Sequence, residues 1–267
     1  PEAGTLESVK DISPEHLRSF YELHYLKPNI FVVACGNIDE EQVNRWASTS
    51  FDGVPTTRDV RNRTPPRFHS AINVFPKEGD QSYMVMGFPS YAASHEDRHA
   101  ASLAAAILGS GTSSRLYQRI REDEGLVYQI FMYPQTYSDC GVIETYFSSS
   151  VENAPRVVDL FSEELKRFKE EGLNKGELER VKRWVKGIFV RKLESSENRM
   201  YWLAESYTLT GEVRTIPEMI DEFNKVDEGS VMQAADDILK VNKLCVALHG
   251  PERESKKLAM DMKGMDF

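Results

Sequence analysis

The sequence predicts an α+β fold, a two-layer sandwich of helices on a largely antiparallel sheet, with one complete domain preceded by the tail end of a second copy. Three observations predict it. First, strand-like runs (72–75, 83–88, 126–134, 142–147) are segregated from long paired helical stretches with apolar residues at 3–4 spacing. Second, Asp52 to Pro66 (DGVPTTRDVRNRTPP) carries three prolines and no apolar periodicity, which reads as an interdomain linker. Third, an order of cap, helix, short link, apolar strand and glycine runs from Ser13 to Gly36 and again from Asp227 to Gly250, 214 positions later. The domains are therefore 1–51 (the C-terminal part of an incomplete first domain), 52–70 (linker) and 71–267 (second domain). If the second copy starts at Ala71, the start of the first falls before position 1, and so does the counterpart of the helix at 95–108.

Each element has a local reason. Ser13 caps a helix with Pro14 at its first position, running to about Tyr25. Residues 30–35 (IFVVAC) form a buried-type strand stopped by Gly36, and Asp39 caps a helix carrying Val43, Trp46 and Ala47. Beyond the linker come strands 72–75 and 83–88, parted by Gly79-Asp80, and a helix from about His95 to Leu108. A hairpin turns at Ser138-Asp139. The next helix carries Ala154, Val158, Phe161, Leu165 and Phe168 and closes at Gly172; its Glu163-Glu164 pair reads as a solvated face. Asn174 and Glu177 form a capping-box pattern for a long helix with Leu178, Val181, Val185 and Ile188. Further helix runs to about Thr208, from Pro217 and from Asp227 to Leu239. Residues 244–249 are the last strand, and Glu252 onward reads as a frayed tail.

Composition excludes several function classes. A net charge of −9 supplies no basic excess to neutralise phosphates, which argues against nucleic acid and anionic membranes as partners. No apolar run approaches a membrane span. Cys35, Cys140 and Cys245 are odd in number and far apart, so free thiols and, weakly, a cytoplasmic setting are expected.

The stretch Leu108 to Tyr128, LGSGTSSRLYQRIREDEGLVY, organises the second domain. Gly109 supplies a helix stop in the left-handed cap conformation, and Thr112, Ser113 and Ser114 offer hydroxyl caps to a short helix. Leu116 and Ile120 lie one turn apart on its buried face, Arg115 and Arg119 on another. Gly125 ends the charged run Arg121 to Glu124, and residues 126–131 begin a strand. This stretch resembles the second-domain signature of the M16 (pitrilysin/insulinase-like) zinc peptidases: a glycine loop, Ser-Arg-Leu, Arg-Glu and Gly-Leu-x-Tyr. The resemblance extends over the chain up to Pro251 and is greatest to the shorter-chain processing proteases.

The resemblance implies that Arg121 and Tyr128 are the family's arginine–tyrosine pair, which reaches bound peptide from the domain without metal. An arginine offers forked donors to peptide carbonyls, and a tyrosine hydroxyl can donate to an oxyanion. It also implies zinc in the complete peptidase, an extended or unfolded peptide substrate bound by strand addition, and a homo- or heterodimeric partner or zinc-bearing domain. The family's zinc motif, H-x-x-E-H, is absent from the chain. This chain is therefore expected to hold no metal or other cofactor. The alternative is a naturally non-catalytic partner or structural subunit.

Two motifs invite other chemistry. His95-Glu96-Asp97-Arg98-His99 spells H-E-x-x-H, but Ser94 and Asp97 look like a capping pair that leaves His95 in a fraying first turn, and no third ligand is identifiable. The 109–114 loop, GSGTSS, has no P-loop lysine and follows no strand, so it is expected to serve loop geometry rather than phosphate.

Overall fold

The structure is a computed structural model describing residues 3–57 and 64–265; residues 58–63 of the expected linker lie outside the described residues. The chain divides into two compact units, one of residues 1–64 with 195–204, the other of residues 65–194 with 205–267.

The larger unit holds a five-stranded sheet: β1 (Ala71–Pro76), β2 (Gln81–Ser90), β3 (Gln129–Thr136), β4 (Gly141–Ser150) and β5 (Cys245–Gly250). Their order is β1-β5-β2-β4-β3; only β1 and β5 run parallel. Alternation sends Met84, Met86, Phe88, Ile130, Met132, Ile143, Phe147, Val246 and Leu248 to one face, where all are buried. Against that face lie α4 (Arg98–Gly109), α5 (Ala154–Glu171) and α9 (Glu228–Ile238), with α6 (Glu177–Lys192) and α8 (Ile216–Lys225) packed on α4; together they contribute Leu103, Ile107, Phe161, Phe168, Leu178, Phe223 and Val231 to the same core. The helices thus cover one face of a largely antiparallel sheet, the two-layer α+β sandwich the sequence predicts. The expected frayed tail is instead α10 (Glu252–Asp261), because Leu258 and, just beyond it, Met262 are apolar enough to bury in the core.

The smaller unit contains α1 (Leu6–Lys10), α2 (Pro14–His24) and α3 (Glu40–Ser50), together with the first residues of α7 (Ser196–Thr210). Ser13 caps α2 through a reciprocal bond with His16, and the Asp39 carboxylate caps α3 through the Glu41 and Gln42 N–H groups. Its match to the end of the larger unit is residue for residue. Helix α2 corresponds to α9 at an offset of 214, and the 3₁₀ turn Lys27–Asn29 to the turn Val241–Lys243. The partners of the match differ. Val231, Ala234 and Ala235 are buried, whereas their counterparts Leu17, Phe20 and Tyr21 are exposed. Residues 30–35, expected as a strand, enter no ladder among the described residues, although Ile30 is extended (φ −115°, ψ 130°). A strand exists only where a neighbour takes its backbone groups; β5 has β1 and β2 for this, and 30–35 has no such pair among the described residues.

Candidate functional site

The signature stretch runs from the end of α4 through a tight loop and a helical turn into β3. Gly109 is the last residue of α4 and does not take the left-handed conformation expected of it. Its glycine serves close approach, because a Cβ there would stand 2.4 Å from the Met132 Cβ and 2.7 Å from the Met132 backbone nitrogen. The Ser110 hydroxyl then donates to the Met132 carbonyl (2.6 Å), fastening the loop to β3. The 109–114 loop is thus a packing device, and the Ser114 hydroxyl donates back to the Gly111 carbonyl instead of capping the next helical turn.

The expected short helix is π-helical from Tyr117 to Asp123, a form that recurs at functional sites. Leu116 and Ile120 are fully buried. Arg115 is buried too, forking onto Glu177 (Nε to Oε1 3.0 Å, Nη2 to Oε2 2.5 Å) and donating to the Gly172 carbonyl (2.8 Å). Glu177 in turn accepts the Asn174 N–H at 2.8 Å, one half of the expected capping box; the residue ahead of α6 is Gly176, in the left-handed conformation. Burial would raise the Glu177 pKa, but its bonds to Arg115 and to the Asn174 N–H hold it below the usual carboxylate range. Glu164, expected on a solvated face, is fully buried and lies 3.2 Å from Arg119 and 2.8 Å from Arg167. The Ser-Arg-Leu arginine is therefore a packing group that ties the loop to α5 and α6.

Gly125 (φ +65°) reverses the chain after the π-helical turn, and the Leu126 N–H closes the turn on the Ile120 carbonyl (3.1 Å). The reversal brings Arg121 and Tyr128 together through the backbone: an Nη group of Arg121 donates to the Tyr128 carbonyl. The half-buried Arg121 guanidinium also lies 5.2 Å from the Tyr117 ring centroid. Tyr128 donates its N–H to the Ser148 carbonyl (3.3 Å), while its side chain is 73% exposed. Their chemistry is a cation held by its neighbour's backbone beside a phenol open to solvent.

The residues of the H-E-x-x-H string do not form a metal site. Helix α4 begins at Arg98, so His95 precedes it, stacked on Tyr91 (4.2 Å between centroids) with Nδ1 accepting the Asp97 N–H at 3.1 Å. His99 is buried, its Nε2 2.6 Å from Glu222, a carboxylate that also binds Arg98 and Arg214. Burial, then the charge of Arg98, lowers the His99 pKa. No group of three or more His, Cys, Asp or Glu among the described residues could hold a metal ion, so zinc does not fit this set. No helix of the described residues is long and apolar enough to cross a membrane, and all three cysteines are free.

A helix-backed α+β sheet is thus entered at its edge strand through a glycine loop, a π-helical turn and an exposed tyrosine. Residues 11–184 match the family described as the peptidase M16 inactive domain, and the chain belongs to that family. It is similar to an uncharacterized zinc protease of Streptomyces coelicolor, 27% identical over 247 residues, covering 90% of this chain and 54% of that protein. It is also similar to the uncharacterized zinc protease YmxG of Bacillus subtilis, 27% identical over 230 residues, with 85% and 55% covered. The chain thus spans about half the length of these curated relatives. Among solved structures, the peptidase M16 inactive domain from Pseudomonas fluorescens superposes with a TM-score of 0.77 at 18% identity, covering 93% of this chain and 60% of that one. A chain in the Candida albicans Complex III2 structure, with Inz-5 bound, gives 0.84 at 18% identity, covering 98% and 65%. At that identity the likeness is one of fold.

Proposed function

We propose that this chain is the substrate-positioning part of a zinc-dependent M16 endopeptidase or processing protease that cleaves extended or unfolded peptides. Zinc is supplied by another domain or a partner subunit, in a homo- or heterodimer; the relatives named zinc proteases, about twice the matched length, support this. The observation that carries the reading is the pairing of Arg121 with the Tyr128 backbone while the Tyr128 side chain stays exposed. A hydrogen bond at the backbone sets where the phenol stands without consuming its hydroxyl. In the assembled enzyme the Tyr128 hydroxyl donates to the oxyanion that develops on the scissile carbonyl, and Arg121, with five N–H donors to share, steadies the peptide backbone. The linker 52–70 separates the fragment 1–51 of the zinc-bearing domain from the complete domain 71–267. The counterparts of the partner strands and helices that bury α9 would cover the exposed side of α2, by the same repeat.

Kinetics on the chain with its zinc-bearing part restored test the reading. Tyr128→Phe should lower kcat by about 10²–10³, the scale of one lost oxyanion donor. Arg121→Ala should also raise KM, since its contacts exist in the ground state. Unchanged kinetics in both variants would sink the assignment. A second reading, a non-catalytic partner subunit, draws on the fold shared with the Complex III2 chain at a TM-score of 0.84. The same variants would then leave the assembly's peptide turnover untouched.

A further inference from the structure

A cavity of about 270 Å³ opens at the end of the sheet where β2 begins, bounded by α10 and by the start of α5. The Ser82 and Ser255 side chains line it, each residue only 3% exposed. Gly250, the last residue of β5, lets α10 come this close: a Cβ there would stand 3.1 Å from the Ser255 hydroxyl oxygen and 3.2 Å from the Gln81 carbonyl oxygen. Neither serine hydroxyl has a hydrogen-bond partner among the described residues, and neither is sealed in as the unpartnered Thr145 hydroxyl is, so both open on the cavity. Buried hydroxyls left unpaired are destabilising, so two on one cavity point to a polar occupant. Another wall is the first turn of α5, eighteen residues long, whose N-cap Asn153 makes no side-chain bond. Pro155 has no N–H, and the Ala154 and Arg156 N–H groups meet no acceptor among the described residues, which leaves the positive end of α5 with its donors unused. Lys257 also lines the cavity, as do Glu152, Glu254 and Asp261, and none of the four has an ion pair among the described residues. The rest of the lining, Val151, Ala154, Pro155 and Leu258, is apolar.

We infer that this cavity binds a small zwitterion, a free α-amino acid with an apolar side chain. A lone anion would sit among three unpaired carboxylates, and a lone cation would leave Lys257 and the α5 donors unused. An α-amino acid carries both charges on one carbon. Its carboxylate takes the Ala154 and Arg156 N–H groups and Lys257, and its ammonium, with three N–H donors, meets the carboxylates of Glu152, Glu254 and Asp261. The serine hydroxyls can donate to the one or accept from the other. The apolar side chain then lies against Val151 and Leu258. The volume is below the roughly 300–1,000 Å³ of drug-sized pockets, so the occupant is smaller than a drug. A metal ion does not fit, since no three His, Cys, Asp or Glu side chains among the described residues could hold one. A bound amino acid ties α10 to α5 and β2, and the site needs neither zinc nor bound peptide to form.

Calorimetric titration of the full chain with leucine, methionine and phenylalanine tests the site. Each is run beside its amide, which keeps only the positive charge, and its N-acetyl form, which keeps only the negative one. At least one free amino acid should bind saturably, one to one, and raise the melting temperature, because the ligand holds only the folded state. Its amide and N-acetyl forms should bind at least about tenfold more weakly, each having lost one set of charge-assisted bonds. Ser255→Ala should weaken the amino acid about threefold to tenfold and Lys257→Gln about twofold to fivefold. Neither variant should lower the melting temperature of the unliganded chain, since one loses an unpaired hydroxyl and the other an exposed charge. No saturable binding of any of the three amino acids overturns the inference. So does an amide or N-acetyl form that binds as tightly as its parent, which would mark a cavity for one charge only. Affinity unchanged in both variants would put the amino acid elsewhere on the chain and overturns it equally.

Discussion

Among the residues of the signature stretch, two arginines six positions apart have opposite surroundings. Arg115 is buried and forked onto Glu177, so removing it strands a buried carboxylate. Arg115→Ala should cost about 3–5 kcal/mol, seen as a large fall in the denaturation midpoint, whereas Arg121→Ala should stay within about 0.5 kcal/mol. Equal losses would erase the distinction between the packing arginine and the one proposed to face peptide. Sequence alone puts Arg115 and Arg119 on one helical face but cannot say what meets them. Their partner Glu164 looks solvated in the sequence because it adjoins Glu163 in a charged run. Its spacing is the better signal, since it lies three positions after Phe161 and four before Phe168, both buried, on the inner stripe of α5.

At the scale of elements, the start of α4 is tied to α8 through Glu222, which binds His99, Arg98 and Arg214 together. The buried His99 has a pKa below its ordinary 6.5, so the unfolded chain binds that proton more readily than the folded one. Its contribution to stability is therefore whole above about pH 6.5 and declines as pH falls through that value toward the folded pKa. Between pH 7.5 and 5.5 the wild-type melting temperature should fall further than that of His99→Gln; equal falls would show that His99 does not titrate in this window. The element order is legible in the sequence because caps and periodicity are local: Ser13, Asp39 and Asp227 all cap the helices expected of them. Whatever depends on distant partners is not. Residues 30–35 are as apolar as β5 yet form no ladder among the described residues, and α10 reads as a tail because its anchors, Leu258 and Met262, are sparse among charges.

For the whole molecule, the proposed function divides labour between this chain's sheet, which would position peptide, and a zinc-bearing part that would attack it. The chain belongs to the M16 inactive-domain family, and its own residues assemble no metal site among those described. The internal repeat carries the division further. The same helix–turn–strand unit is buried at 227–250 and has exposed apolar counterparts at Leu17, Phe20 and Tyr21, as expected of a surface meant for another part of the assembly. The decisive quantity is the rate of peptide hydrolysis by the zinc-bearing part, measured alone and with this chain added. Cleavage is expected only when the two are combined, with no hydrolysis and no stoichiometric zinc in this chain by itself. A zinc-bearing part that cleaves peptides equally fast without this chain would contradict the division of labour.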